Sequence, residues 1–429
     1  MKKILTAIGV VLALAQCARQ SATQTAGRQD PLKPRRTEIL FLGDNGHHRP
    51  IERVPEIMAA LGNKGINFTY TDKLEDLNPE NLNKYDGLLI YANWDSIGKP
   101  QEKAMLDYVA AGHGIIPVHC ASFCFRNSPE YVDKVVGGQF WRHRMDTIQT
   151  HFTQPNSPIV AGLPSFKAYD ETYLHSHLQA DNNVLAVREV KADQFKDLSD
   201  AGRPNAKEEP YTWTRQYGKG RVFYTAYGHD ERTWSQPGFQ QLLERGILWA
   251  VGDEVKKLHD DLKPQPFAYT EAQLPNYEKR PGPQLEQKPL SPEESMKHLQ
   301  VPVDFTLGLF AHEPNVMHPI AIAWDERGRL YALVTKDYPN ERKPEGGSDY
   351  IVICEDTDKD GKADKFTNFA EGLSIPTGMA FGNGGLYVSQ APHMLFLQDT
   401  NGDDKADVKK VVFTGFGTFD THAGPSNLH

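Results

Sequence analysis

The chain has 429 residues, 39% of them hydrophobic and 24% charged, which suits ordinary soluble globular domains and allows two or three of them. A net charge of −9 and the lack of any long basic run argue against a nucleic-acid-binding surface and leave neutral substrates such as sugars open.

In chain order, the N-terminus reads as a targeting segment over residues 1–17. Lys2 and Lys3 give a positive start, and Ile4 to Ala15 is an apolar run too short to span a bilayer. It ends Leu14-Ala15-Gln16-Cys17, which resembles a bacterial lipobox with Cys17 as the lipidated residue. Gln16 replaces the small residue usual before that cysteine, so simple secretion is the alternative. Residues 18–36 read as a polar tether. The expected location is therefore the periplasm or cell envelope, with membrane contact only through a lipid anchor. In that oxidising setting Cys120, Cys124 and Cys354 are too few for a disulfide framework and read as buried thiols, although Cys120 and Cys124 could pair.

From 37 to 253 strands and helices alternate. Glu38–Leu42, Phe68–Tyr70, Asp86–Tyr91 and Gly114–His119 are short apolar runs; Val54–Leu61 and Lys103–Ala111 have helical spacing, the second stopped by Gly112. Continuous apolar strands separated by helices predict a parallel sheet covered on both faces. Ligands in such a fold bind beyond the carboxyl ends of the strands. Those ends carry Asp44 to His48, Asn93 to Asp95, and His119 to Ser122. Tyr211–Tyr217 and Arg221–Tyr227 flank Gly218-Lys-Gly220 as a hairpin, and a helix over about Gly238–Val251 closes the domain. Residues 254–302, rich in Pro, Gln, Glu and Lys, read as an extended linker.

The segment 303–429 turns to β and repeats. Ile320–Trp324 with Gly328–Tyr331 resembles Thr377–Phe381 with Gly384–Tyr387. Each pair leads to an acidic run: Asp356, Asp358, Asp360, Asp364 in the first, and Asp399, Asn401, Asp403, Asp407 in the second. Both runs place oxygen side chains at offsets 0, 2, 4 and 8, which predicts structural Ca²⁺ binding; a solvated acidic turn is the alternative. A bidentate Glu at the twelfth position is missing, so these are not EF-hand loops. The first ligands stand 43 residues apart, about the length of a propeller blade, and a propeller needs roughly 4–8 blades. The segment is therefore expected to be an incomplete β-propeller, the front of a longer protein.

Residues 37–253 resemble the ThuA-like (trehalose-utilisation) family. The resemblance rests on Leu42-Gly-Asp-Asn-Gly-His-His-Arg-Pro50, Tyr91-Ala-Asn-Trp-Asp95, Gly114 to His119, Gly137-Gly-Gln-Phe140 with His143, Ala161-Gly-Leu-Pro164, Asp170-Glu171-Thr-Tyr173 and Gly228-His229. It implies a class I glutamine amidotransferase-like (flavodoxin-like) fold, with a doubly wound parallel α/β sheet, and sugar chemistry on 3-keto sugars or related oxidised glycosides. The later segment resembles the start of the propeller of membrane-bound dehydrogenase-like proteins, akin to glucose/sorbosone dehydrogenases. That implies an electron-transfer partner or further C-terminal domain. The c-type haem motif Cys-x-x-Cys-His does not occur in this sequence.

The candidate catalytic residues are His119, His47, His143, Glu171 and His229. Imidazole with carboxylate serves proton transfer near neutral pH, or binds a divalent metal, and long-range spacing leaves both open. The turn after the fourth strand would place His119 or Cys120 at an elbow without the flanking glycines of a nucleophile. Of the adjacent His47 and His48, one is expected to point into the site, because neighbouring side chains diverge. Asp44, His48, Trp94, Asp95, Phe140, Asp170 and Tyr173 are the candidate substrate-binding residues, with Trp94 and Tyr173 favoured as stacking faces for a sugar. His175 and His177 alternate on one expected strand and read as packing or solvent-facing. The expected activity is acid/base chemistry on a carbohydrate; a non-catalytic sugar-binding module serving a dehydrogenase is the alternative.

Overall fold

A computed structural model describes residues 33–429 except 274–278, 280, 340, 341, 344, 423, 427 and 429. Cys17 and the expected leader lie outside the described residues. No helix among the described residues is long and apolar enough to cross a membrane.

The first half is built on an eight-stranded sheet and two short ladders. Its strands are β1 (Thr37–Leu42), β2 (Ile66–Thr71), β3 (Gly87–Ile90), β4 (Gly114–Pro117), β5 (Gln139–Arg142), β6 (Met145–Gln149), β7 (His151–Phe152), β8 (Lys167–Glu171), β9 (Leu174–Ser176), β10 (Asn183–Glu189), β11 (Glu208–Tyr217) and β12 (Gly220–Thr225). The sheet order is β2-β1-β3-β4-β12-β11-β10-β7. β2, β1, β3, β4 and β12 run parallel in the flavodoxin-like order. β11, β10 and β7 then continue antiparallel. The expected parallel sheet is extended on one side into a mixed one, because the expected hairpin at Gly218-Lys219 joins it through β12 and its two-residue connection can only return the chain antiparallel.

Every residue of β3 and β4 is buried. Their unbroken apolar runs have helices on both faces to cover them. The helix over Pro50–Leu61 begins with a proline where no backbone donor is missed and buries Val54, Ile57 and Leu61. The helix over Lys99–Ala111 stops at Gly112, whose φ of 127° a side chain would resist. The helix over Pro237–Ala250 lies on β12 and β4. Gly246 allows this approach: a Cβ there would sit 2.5 Å from the Phe223 ring. Two antiparallel ladders, β5 with β9 and β6 with β8, carry the connection between β4 and β10.

Residues 254–302 are more structured than the extended linker expected. A helix spans Asp253–Leu262, β13 (Tyr269–Glu271) pairs with β14 (Leu285–Gln287), and a second helix spans Pro292–His298. The first helix packs on the first half through Val255 and the buried Leu262, and carries exposed Lys256–Asp260 and Lys257–Asp261 pairs one turn apart. The segment is also pinned to the first half, where Arg36 Nη1 donates to the Lys297 carbonyl at 2.7 Å, and just after it Lys84 pairs with Asp304 at 2.9 Å.

The last segment forms two four-stranded antiparallel sheets: β15 (Pro319–Trp324), β16 (Leu330–Val334), β17 (Asp349–Glu355), β18 (Lys365–Leu373), and β19 (Gly378–Gly382), β20 (Gly385–Gln390), β21 (His393–Gln398), β22 (Val408–Thr414). They share one apolar core that includes Leu333, Ile353, Leu386 and Leu397. The expected propeller is therefore, among the described residues, two such sheets and no closed ring. Both acidic runs fall at the same place, between the third and fourth strands of their sheets.

Gly246→Ala tests the packing on β12. Intrinsic helix preference alone would stabilise by about 1 kcal/mol. The clash with Phe223 reverses the sign, and a net loss of about 1–3 kcal/mol in chemical denaturation is expected.

Candidate functional site

The site forms where β1, β3 and β4 end. After β1, Asp44 turns inward: its Oδ1 accepts from the Gly46 amide at 2.7 Å and its Oδ2 from the Asn93 amide beyond β3. This joins two strand-end loops and sets the path that buries His48 while leaving His47 exposed. Trp94 closes the same junction, its Nε1 donating to the Gly43 carbonyl at 3.0 Å.

After β4 the chain turns sharply at His119, whose φ is 49°, and enters a short 3₁₀ turn over His119–Phe123. A non-glycine residue in this left-handed region is strained and must be held by its surroundings. The holding groups form a buried chain. His175 Nδ1 donates to Glu209 at 2.8 Å, Tyr224 bridges His175 Nε2 at 2.9 Å and Ser122 at 3.0 Å, and Ser122 donates to the His119 carbonyl at 3.0 Å. His119 therefore takes the elbow, whereas Cys120 is buried and its thiol is pushed far up by desolvation.

His119 is fully enclosed. Its Nδ1 lies 2.6 Å from the Ala226 carbonyl, which can only accept, so that nitrogen carries the proton. Its Nε2 faces Glu171 Oε2 at 3.1 Å. Glu171 ends β8 and is shared further: His143 Nε2 lies 3.2 Å, and His229 Nδ1 3.3 Å, from its Oε1. The His48 ring stands 5.2 Å from that of His119 and 5.5 Å from that of His229. One donor atom from each of His48, His119, Glu171 and His229 falls within 4.8 Å of all the others.

Asp170 organises the opposite wall. It accepts from the Gly228 amide at 2.9 Å, the His229 amide at 3.2 Å and Thr233 Oγ1 at 2.8 Å. Tyr91 donates to the Gly228 carbonyl at 2.6 Å, with the His229 carbonyl at 3.0 Å. Together they fix the loop that presents His229.

The electrostatics follow from enclosure around one carboxylate. Burial, with the neighbouring His119 and His47, pushes His48 down to about 2. Burial also lowers His143. Burial would raise Glu171, but hydrogen bonds from His119 and His229 outweigh it and hold the carboxyl far below its usual range. The bond to Glu171 raises His229 against desolvation. Burial raises Asp170 in spite of its donors.

Of the residues expected from the sequence, His119, His143, Glu171 and His229 come together. His48 replaces His47, which only stacks outside it with ring centroids 4.0 Å apart. Asp44 and Asp170 bind backbone and neighbouring side chains rather than face a substrate, since both are buried with their carboxylates occupied. Tyr173 is buried behind His119, rings stacked at 4.2 Å, and cannot offer a face to a sugar. Phe140, half-buried and 4.4 Å from Tyr173, stands in front of it. Asp95 is exposed and paired with Arg126. His175 and His177 do not share an environment, because β9 ends at Ser176: His175 is in the core and His177 is exposed near Asp133. Tyr91, Glu209 and Thr233 were not expected. Of these, only Tyr91 had a signal, its place in the run leading to Asp95.

In the two acidic loops the carboxylates are turned toward their own backbone. Asp356 accepts from the Gly361 amide at 2.9 Å and Asp364 from Thr357 Oγ1 at 2.7 Å. Asp399 accepts from the Asp404 amide at 2.9 Å and Asp407 from Thr400 Oγ1 at 2.7 Å. Asp358 and Asp360 cap the amides of Asp360 and Lys362, as Asn401 and Asp403 cap those of Asp403 and Lys405. Asp356, Asp358 and Asp360 bring one oxygen each within 4.8 Å of one another.

Residues 38–250 match the ThuA family, described as trehalose utilisation, and residues 291–429 match a domain of unknown function, DUF7133. The first half of the chain is thus a ThuA-like domain. No curated protein matches the sequence. Among solved structures, a ThuA-like protein of Parabacteroides merdae is similar at 19% identity and a TM-score of 0.42, over 51% of this chain and 90% of its own. A ThuA-like protein of Bacteroides uniformis is similar at 18% identity and a TM-score of 0.43, over 52% and 97%.

Asp170→Asn tests the wall that presents His229. It turns an amide toward backbone donors and is expected to cost about 1–3 kcal/mol in thermal or urea unfolding. Unchanged stability would show that the carboxylate does not hold this loop.

Proposed function

We propose that the ThuA-like domain is a carbohydrate-active enzyme that moves a proton beside the carbonyl of a keto-sugar or oxidised glycoside. The carrying observation is the one carboxylate shared by histidines of graded exposure at the carboxyl ends of the parallel strands. The His119 side chain is 0% exposed, that of His229 22% and that of His143 40%. A substrate reaches His143 and His229, while His119 holds Glu171 from behind. The family description, trehalose utilisation, supports a carbohydrate as substrate.

In this reading His143, its Nε2–H turned to Glu171 Oε1 at 3.2 Å, takes the proton from the carbon next to the carbonyl on its other ring nitrogen, Nδ1. The C–H electrons form the enolate, and Glu171 stabilises the imidazolium. The same proton then passes to the departing glycosidic oxygen as its C–O bond breaks, so no oxidant or reductant is consumed. Phe140 and the exposed Trp141 offer apolar faces beside His143 for the sugar ring.

We read the two four-stranded sheets of 303–429 as consecutive blades of a dehydrogenase-like propeller in an exported protein. Their acidic loops hold Ca²⁺ as a tie between the third and fourth strands of each.

The test of the catalytic reading is turnover of a panel of keto-sugars and glycosides followed by NMR, with His143→Gln beside the parent chain. The variant should keep its melting temperature, because the residue is exposed, and lose about 10²–10⁴-fold in kcat. An undiminished kcat would remove His143 from the mechanism. Binding without product in the parent chain would make the domain a binding module. For the loops, EGTA should lower the unfolding temperature of the C-terminal sheets and added Ca²⁺ restore it; an unchanged melt overturns the calcium reading.

A further inference from the structure

We propose that His48, His119, His229 and Glu171 bind a divalent first-row transition-metal ion, leaving His143 free at the mouth of the site. The proposal shares its site with the enzymatic reading, but stands on separate observations.

The first is the fixed tautomer of His119. With one proton on Nδ1 toward the Ala226 carbonyl, Nε2 meets a Glu171 carboxylate oxygen 3.1 Å away, a contact made either by a second ring proton, as in the hydrogen bond that lowers Glu171, or by a cation in that proton's place. Two acceptors at that distance in an enclosed place repel unless a proton or a cation lies between them. A histidine whose other nitrogen is anchored to a backbone carbonyl is also how metal-binding imidazoles are usually oriented.

The second is an orphaned nitrogen beside a poorly matched one. His48 Nε2 is buried with no hydrogen-bond partner, and His229 Nδ1, buried as well, has only Glu171 Oε1 at 3.3 Å, in poor hydrogen-bond geometry. His48 has 7% of its surface exposed, and its ring meets those of His119 and His229 edge-on or tilted, which keeps the nitrogens turned to a common point. Buried polar nitrogens without partners call for an occupant that accepts lone pairs.

The third is size. Bonds of about 2.0–2.1 Å to a tetrahedral ion put neighbouring ligand atoms roughly 3.3–3.4 Å apart. His119 lies 3.1 Å from Glu171 Oε2 and His229 3.3 Å from its Oε1, and one atom from each of the four residues lies within 4.8 Å of the others, so small side-chain rotations bring one Glu171 oxygen into a shell of that size. Three imidazoles and one carboxylate suit zinc or a similar first-row ion, not calcium or magnesium, which prefer oxygen. Asp170 and Tyr91, which fix the His229 loop, would be its outer supports. Bound there, the ion would polarise a ketone oxygen of the sugar as a Lewis acid by expanding from four to five ligands.

The test uses the full chain stripped with EDTA and titrated with Co²⁺, then Zn²⁺, by calorimetry and visible absorption. One ion per chain with the intense visible bands of low-coordinate nitrogen-ligated Co²⁺ is expected, displaced by Zn²⁺ and lost in His48→Gln and in His229→Gln. The two variants differ in burial, so circular dichroism identifies a loss caused by misfolding in one of them. Weak absorption that persists in both folded variants would place the ion in the acidic loops and overturn the proposal, as would no binding. Keto-sugar turnover undiminished in stripped protein would overturn a catalytic role for the ion while leaving the enzymatic reading intact. A bound ion with no turnover of any sugar would do the reverse.

Discussion

A carboxylate enclosed among imidazoles is the constraint around which the first domain is arranged. Glu171 is largely withdrawn from water, and a buried anion is tolerated only when its oxygens are matched by hydrogen bonds or positive charge. Three histidines from three separate strand ends or ladders supply that match. Each must then be held in turn. His119 is held by the Ala226 carbonyl and by the strained turn after β4, His229 by Asp170 and Tyr91, and His143 by its place between β5 and β6. The donors behind the cluster are as much a part of the site as the side chains that face it.

The sheet explains why these groups meet. In a flavodoxin-like strand order the chain reverses direction across the sheet between β1 and β3, which leaves a crevice at their carboxyl ends. His48 and His119 come from loops on either side of that crevice. Glu171 and His143 come from the ladders that replace a simple crossover between β4 and β10, and they roof the crevice. The antiparallel extension β11-β10-β7 anchors this roof: Arg188 on β10 donates to the Thr172 and Tyr173 carbonyls at 2.8 Å, and Tyr211 on β11 to that of Glu171.

The second half follows a different economy. Its two sheets gain stability from a shared apolar core and from acidic loops that satisfy their own amides, a local pattern that repeats because each unit solves the same strand-to-strand turn. The two sheets are also tied over a distance, by Arg329 pairing with Asp404 in the second acidic loop at 2.7 Å.

That contrast separates what was legible in the sequence from what was not. Local chemistry was readable: short continuous apolar runs gave β1 to β4, helical spacing gave their helices, the Gly218-Lys219 turn gave the hairpin, and the repeated offsets gave equivalent loops. The segment motifs also carried His119, His143, Glu171 and His229. What sequence alone left undecided was orientation. His47 and His48 are adjacent and chemically identical, and only the Asp44 link to the loop after β3 decides which one is buried. Asp170 and Glu171 are likewise neighbours on one strand, whose alternation sends one carboxylate to the backbone of a distant loop and the other to the histidines. Tyr173 looked accessible because it adjoins polar residues, but a ring 4.2 Å behind His119 is enclosed by β9 and β11. Local residue patterns carried the central strands, their helices, the repeat and the residue types of the site; which side chains converge was settled by strand order and by hydrogen bonds between residues far apart in the chain, and neither of these is a local property.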